Sequence, residues 1–195
     1  MIHRVFSRPR FFDGRLLTAQ DLQAEQAYHR DKARFRNLHL YGTGVISGLQ
    51  IGLGQDRSSI IVSQGYAIDL YGRDICVPCD LPISLPPRSK GLSVWIRYAE
   101  MEATPTPALP SPLEHDNLSV NSQIEEGFEI DFASISARAG GQRSVLPPPS
   151  DKSDAWLLLG VLLRKGRSWR LNPNHRRSQA TVLNRRSTRT SRTQT

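Results

Sequence analysis

From Val45 to Leu171 the apolar residues of this chain come in short runs, each closed off within a few positions by Gly, Pro, Asp or Ser. Val45 to Leu53, Ile60-Ile61-Val62, Tyr66-Ala67-Ile68, Ile75-Cys76-Val77, Leu92 to Met101 and Phe128 to Phe132 read as strands, the first alternating toward its end as a half-buried strand does. Asp69-Leu70-Tyr71-Gly72 joins two of them as a hairpin, with Gly72 supplying the permissive turn backbone. Ala155 to Leu163 is the most apolar stretch, and its nine residues fall far short of the roughly 20 that a membrane-spanning helix needs. No strand–helix alternation is present. The pattern predicts a mainly β fold: an N-terminal helix, then an antiparallel β-sandwich or open barrel.

The helix is the one long segment free of Gly and Pro. Thr18 suits an N-cap, and Asp21 three residues later approximates a capping box. A helix is therefore expected from Ala19 to a stop before Gly42. Its apolar positions, Ala24, Ala27, Tyr28, Phe35 and Leu38, make a weak stripe, so it should dock along a narrow face. Before it, Asp13-Gly14 signals a turn, in which Asp13 is expected to bond nearby amides and Arg15 to hold spare donors for an intrachain clamp or a neighbouring subunit.

The expected organisation is an arm and helix over 1–42, an antiparallel β-domain over 43–172, and a basic extension over 173–195. Thr104 to Pro112 holds four prolines and Pro147-Pro148-Pro149 three more; both are expected outside any ladder, the first within a long insertion near 103–127. The net charge of +8 is uneven: residues 164–195 carry ten of the 26 basic residues and no acid, which leaves the rest slightly acidic. Such an arginine-rich segment cannot bury a core. It is expected to reach an acidic protein surface, and interface candidates are Arg176, Arg177, Val182, Leu183, Arg185 and Arg186, together with Arg15. Nucleic acid is the alternative target, although the segment lacks aromatics for stacking bases.

Chemical motifs are few. Cys76-Val77-Pro78-Cys79 has no second ligand pair for zinc and no following helix to activate a thiolate, so the cysteines read as inert strand thiols. Glu25 and His29 share a helix face without a convergent third group. There is no G-x-S-x-G, Walker loop, H-E-x-x-H or G-x-G-x-x-G. No catalytic, cofactor-binding or metal residue is expected. Nor does an apolar stretch follow the basic N-terminus as in a secretory signal, so a cytoplasmic location is expected.

Residues 11–53 carry a resemblance: Phe12-Asp13-Gly14-Arg15-Leu16-Leu17-Thr18-Ala19 with Asp21-Leu22, then Glu25-Gln26, Tyr28-His29-Arg30 and Lys32, then Asn37 to Leu49 with Gly42-Thr43-Gly44-Val45 and Gly48-Leu49. Gly65 to Ile75 and Ile96 to Glu100 extend it. In this order the segments resemble a family of small proteins encoded with phage-tail-like contractile injection systems. The resemblance implies a non-enzymatic structural component, at the baseplate or an external shell around it, contacting baseplate, sheath or shell subunits and further copies of itself. It also implies incorporation in a large particle, membrane-anchored or released by lysis. The competing expectation is a free β-sandwich module that recognises a surface glycan through Trp95, Trp156 or Trp169.

Overall fold

A computed structural model describes residues 6–56, 58–86, 89–107, 119–137, 143–144, 155–166 and 168–172. One helix, α1 (Ala19–Leu40), precedes β1 (Gly44–Gly48), β2 (Ile51–Leu53), β3 (Ser59–Val62), β4 (Gly65–Ile68), β5 (Asp74–Val77) and β6 (Leu81–Ser84). Then follow β7 (Gly91–Pro107), β8 (Ser119–Ser134), β9 (Ser136–Ala137), β10 (Arg143–Ser144), β11 (Leu157–Lys165) and β12 (Ser168–Leu171). The sheets have orders β1-β4-β5, β2-β3-β6, β12-β11-β7-β8 and β10-β9, and every ladder is antiparallel. The fold is the mainly β, helix-first architecture that the run lengths predict.

The first two sheets are a single hairpin bent in half. β1 pairs with β4 and β2 with β3, and at the bend Gly48 faces Gly65. Leu49 N donates to Gln64 O at 3.2 Å and Ser63 N to Gln50 O at 2.9 Å, so pairing runs almost unbroken around the corner. A Cβ on Gly48 would lie 1.9 Å from Gln64 O, and Gly48 has φ +57, so only glycine fits. The bend delivers alternate residues of both halves to one core: Val45, Ile60, Val62, Ile75 and Val77 meet Leu92, Val94, Ile96, Leu157, Leu159 and Leu162. Trp169 joins this cluster, and Trp95 is buried with its indole N–H donating to Ser93 Oγ at 2.9 Å.

α1 is fastened near its C-terminal end. Asn37 is its one buried residue; Nδ2 donates to Gly72 O at 3.0 Å and to Asp74 Oδ1 at 2.8 Å. The β4–β5 turn that receives it is built around Asp69, which is fully buried. The Asp69 carboxylate accepts from Tyr71 N at 2.8 Å, Arg73 N at 2.8 Å and Arg73 Nε at 2.5 Å. The Arg73 guanidinium stands over the rings of Tyr71 and Tyr98, and Tyr98 donates to Glu100, which lies 4.0 Å from Arg34 on the helix. Helix, turn and β7 thus close one polar circuit.

Two expectations need correction. Pro105 and Pro107 lie within the β7 ladder, opposite Asn121 and Ser119, rather than in a loop. β11 pairs with β7 only from Gly91 to Ile96, so beyond that point β7 is itself an edge that a proline can join. For the same reason the polar stretch 119–127 is strand rather than insertion loop. Pro82 likewise sits in β6, the edge of its sheet, opposite Ile61. The segments 108–112 and 147–149 lie outside the described residues.

Gly72 tests the helix attachment. Its φ is +78, and a Cβ there would lie 2.4 Å from Arg34 O. Gly166, at φ +64, has nothing within 4 Å of the same position. Gly166→Ala should therefore cost about 1 kcal/mol, the backbone term alone, and Gly72→Ala about 2–3 kcal/mol as the helix is pushed off its turn. Urea denaturation of the two variants measures the difference.

Candidate docking interface

The arm before α1 is folded back on the helix. Phe6 packs edge-on against Phe35 and Tyr28, with ring centroids 5.4 and 6.5 Å apart. At Phe12-Asp13-Gly14-Arg15 the chain turns, Arg15 N donating to Phe12 O at 3.2 Å and Gly14 taking φ +83. The expected bonds from the Asp13 side chain are not formed among the described residues; Arg15, Thr18 and Asp21 hold the turn instead. Arg15 donates through Nη1 to Arg10 O at 2.5 Å and through Nη2 to the Asp21 carboxylate, and its guanidinium lies over the Phe11 ring. Asp21 is also the partner of the cap: Asp21 N donates to Thr18 Oγ1 at 3.2 Å, and Thr18 N donates to Asp21 Oδ2 at 3.1 Å. The Thr18 hydroxyl and backbone N–H, followed by the Arg15 charge, hold the Asp21 carboxyl below the usual carboxylate range.

This clamp fixes the arm with its apolar side chains outward. Leu16 is 85% exposed, Phe12 64% and Leu22 55%, and Phe11 and Leu17 are about half exposed. Five large apolar residues within twelve positions of the chain are exposed, on a backbone held by an ion pair and a helix cap. That is the signature of a contact surface.

Beside it, an open groove of about 1360 Å³ separates the N-terminal half of α1 from the outer part of β8, with Leu22, Gln26, Arg30, Gln123 and Ile124 on its walls. Deeper, a cleft of about 690 Å³ is lined by Arg34, Arg73, Arg97, Tyr71 and Tyr98. Its cations are answered by carboxylates: Arg73 by Asp69, Arg34 by Glu100 at 4.0 Å, Arg97 by Glu129 at 2.7 Å. Tyr98 and Tyr66 have pKa values raised, first by burial and then by bonds to Glu100 and Asp74. The cleft is a structural clamp with its charges already spent.

Cys76 and Cys79 are exposed free thiols, and His29 lies 3.0 Å from Glu25 on the open helix surface. Among the described residues no three His, Cys, Asp or Glu side chains converge as a metal site. Trp95 and Trp169 are core residues without an open indole face, and half-buried Trp156 lies beneath the Arg97 guanidinium. Arg176, Arg177, Val182, Leu183, Arg185 and Arg186 lie outside the described residues. Sequence reasoning missed Asn37 and Asp69, the two polar anchors; an Asp two residues before Tyr71-Gly72 is the local signal of a side chain capping its own turn.

The Asp21 clamp makes the arm pH-dependent. Its folded carboxyl titrates below the unfolded value of about 4, so its contribution is complete above that pH and is lost as pH falls through the folded value. The protection factor of the Leu22 amide, bonded to Thr18 O at 3.3 Å, should fall over that acidic range in the natural chain. In Asp21→Asn it should already be low at pH 7 and unchanged below. Thr18→Ala should cost about 1 kcal/mol through the lost cap.

No protein-family model and no curated protein matches this sequence. Among solved structures, the fold is shared with a chain of the type VI secretion system TssK–TssF–TssG baseplate subcomplex, with a TM-score of 0.51 and 13% identity over 89% of this chain and 62% of that one. A chain of the type VI secretion system baseplate complex gives a TM-score of 0.52 and 12% identity over 89% of this chain and 60% of that one. Crystalline TssK gives 0.50 and 14%, over 85% of this chain and 40% of that one. At these identities the likeness is one of fold, and the chain spans about three-fifths or less of the structures it matches.

Proposed function

We propose that this chain is a non-enzymatic structural subunit of a contractile injection particle, placed at its baseplate or in a shell around it, and acting through protein–protein contacts with neighbouring subunits and further copies of itself. The observation that carries this reading is the apolar end formed by Phe11, Phe12, Leu16, Leu17 and Leu22, held outward by the Arg15–Asp21 clamp. The fold shared with type VI baseplate chains supports the particle context. Fully burying a Leu or Phe side chain is worth about 1.5–3 kcal/mol, whereas an exposed Arg–carboxylate pair returns about 0.2–1 kcal/mol. The apolar end therefore carries the affinity. Arg15 positions it from within, and the arginines of 173–195 add reach and selectivity.

The test is incorporation. The natural chain should co-sediment with sheath and tube proteins at high molecular mass. A Leu16→Asp, Leu17→Asp variant, altered at exposed positions and hence folded, should be depleted from particles about tenfold or more, the loss of 1.4 kcal/mol or more of contact energy. A natural chain that stays a free monomer in lysates containing particles overturns the reading, and saturable sugar binding by that monomer would favour the glycan module.

A further inference from the structure

The edge of the four-stranded sheet is unusual. β8 is 16 residues long against the usual five or six, and among the described residues no strand pairs with its outer side. Natural edges of this length are guarded by Pro, by charges, by a bulge or by a covering element, and here α1 faces the outer part of β8 only across the open groove. Ser119–Ser134 contains neither Pro nor any basic residue, and its ladder to β7 is regular. It carries Glu125, Glu126, Glu129 and Asp131 instead. Of the carboxylates on the outer ribbon, Glu102, Glu125, Glu126 and Asp131 have no ion pair among the described residues. An acidic edge repels a second copy of itself and accepts a basic strand.

The chain contains such a strand. Residues 173–195 hold six arginines, no acid and no proline after Pro173, and Thr181-Val182 and the threonines at 188, 190 and 193 favour extended pairing. The faces match as well. Alternation puts Met101 with Glu125 on one face of the ribbon and Ile124 with Glu102 and Glu126 on the other, with Met101 63% and Ile124 58% exposed. In an added strand, Val182-Leu183 and Arg185-Arg186 would each send one side chain to either face.

We infer that the segment 173–195 of one copy docks along the β8 edge of a second copy. The exit point suits a second copy, and the oligomeric state separates that contact from docking within one copy. β12 forms the opposite edge of this sheet, three strand spacings or about 14 Å from β8. β12 runs in the direction of β7, and Asn172 N bonds Val161 O at 2.8 Å as the chain leaves toward the outer end of the ribbon. A tail leaving one edge meets the β8 edge of an adjacent copy without crossing its own sheet. That is a head-to-tail contact, which repeats into a ring or a filament.

The inference deepens the assembly reading and is tested on the purified chain alone, so its failure leaves the particle assignment standing. Sedimentation velocity of the full chain at about 0.15 M salt should show self-association that collapses near 1 M, where screening shortens to roughly 3 Å. Excess synthetic peptide 173–195 should dissolve the oligomer. A deletion of 173–195, which leaves every described residue in place, and the full-length variant Glu125→Lys, Glu126→Lys, Asp131→Lys should each be monomeric. Mixed, they should form a one-to-one heterodimer and nothing larger, because one retains the edge and the other the tail. A full chain that is monomeric at low salt, an oligomer untouched by the peptide, or a deletion whose only defect is lost nucleic-acid retention overturns the proposal. Should either variant misfold by circular dichroism, fluorescence-detected competition between labelled and unlabelled full chains for the peptide decides in its place: saturable peptide binding supports the proposal, and its absence overturns it.

Discussion

A buried carboxylate organises the join between the two halves of this molecule. Asp69 has no solvent contact, and an uncompensated charge there would be prohibitive, so the β4–β5 turn wraps it with two backbone amides and the Arg73 guanidinium. The wrapping sets the path of Tyr71 and Gly72, and that path presents the Gly72 carbonyl to Asn37. Removing the carboxylate would leave Arg73 half-buried without its partner, a loss on the order of 3–5 kcal/mol. It would also undo the receptor for α1. The helix, the arm folded against it and the apolar end they display all stand on this one turn.

The glycines that follow the helix have a mechanical use. Gly42 N bonds the carbonyls of Asn37 and Leu38 to end the helix, and Gly48 lets two strands touch backbone to backbone where the hairpin changes sheets.

How much was legible depended on the range of the interaction. The cap at Thr18, the helix to Leu40 and the hairpin across Gly72 rest on contacts within a few residues, and their sequence signals are local. The sheet order and the bend at Gly48–Gly65 depend on partners far apart in sequence, which no run of residues announces. Pro105 and Pro107 misled because a proline reports only that its own N–H is missing; the absence of β11 beside that part of β7 is a tertiary fact. The arm was misjudged in one detail for a similar reason. Asp13 has the better turn propensity, but Asp21 is the carboxylate that the cap and Arg15 both reach.

Because α1 is held at Asn37, the helix is also a lever. Asn37 lies 18 residues from Ala19, or about 27 Å along the axis at 1.5 Å per residue. A rotation of roughly 5° about that pivot would carry the first turn through about 2.4 Å, most of the width of an atom, while hardly disturbing the sheets. The groove between helix and β8 leaves room for such a swing. A force applied at the apolar end is thus delivered, with its arm length as mechanical advantage, to the last turns of the helix, where Asn37 and Arg34 meet the β4–β5 turn and Glu100.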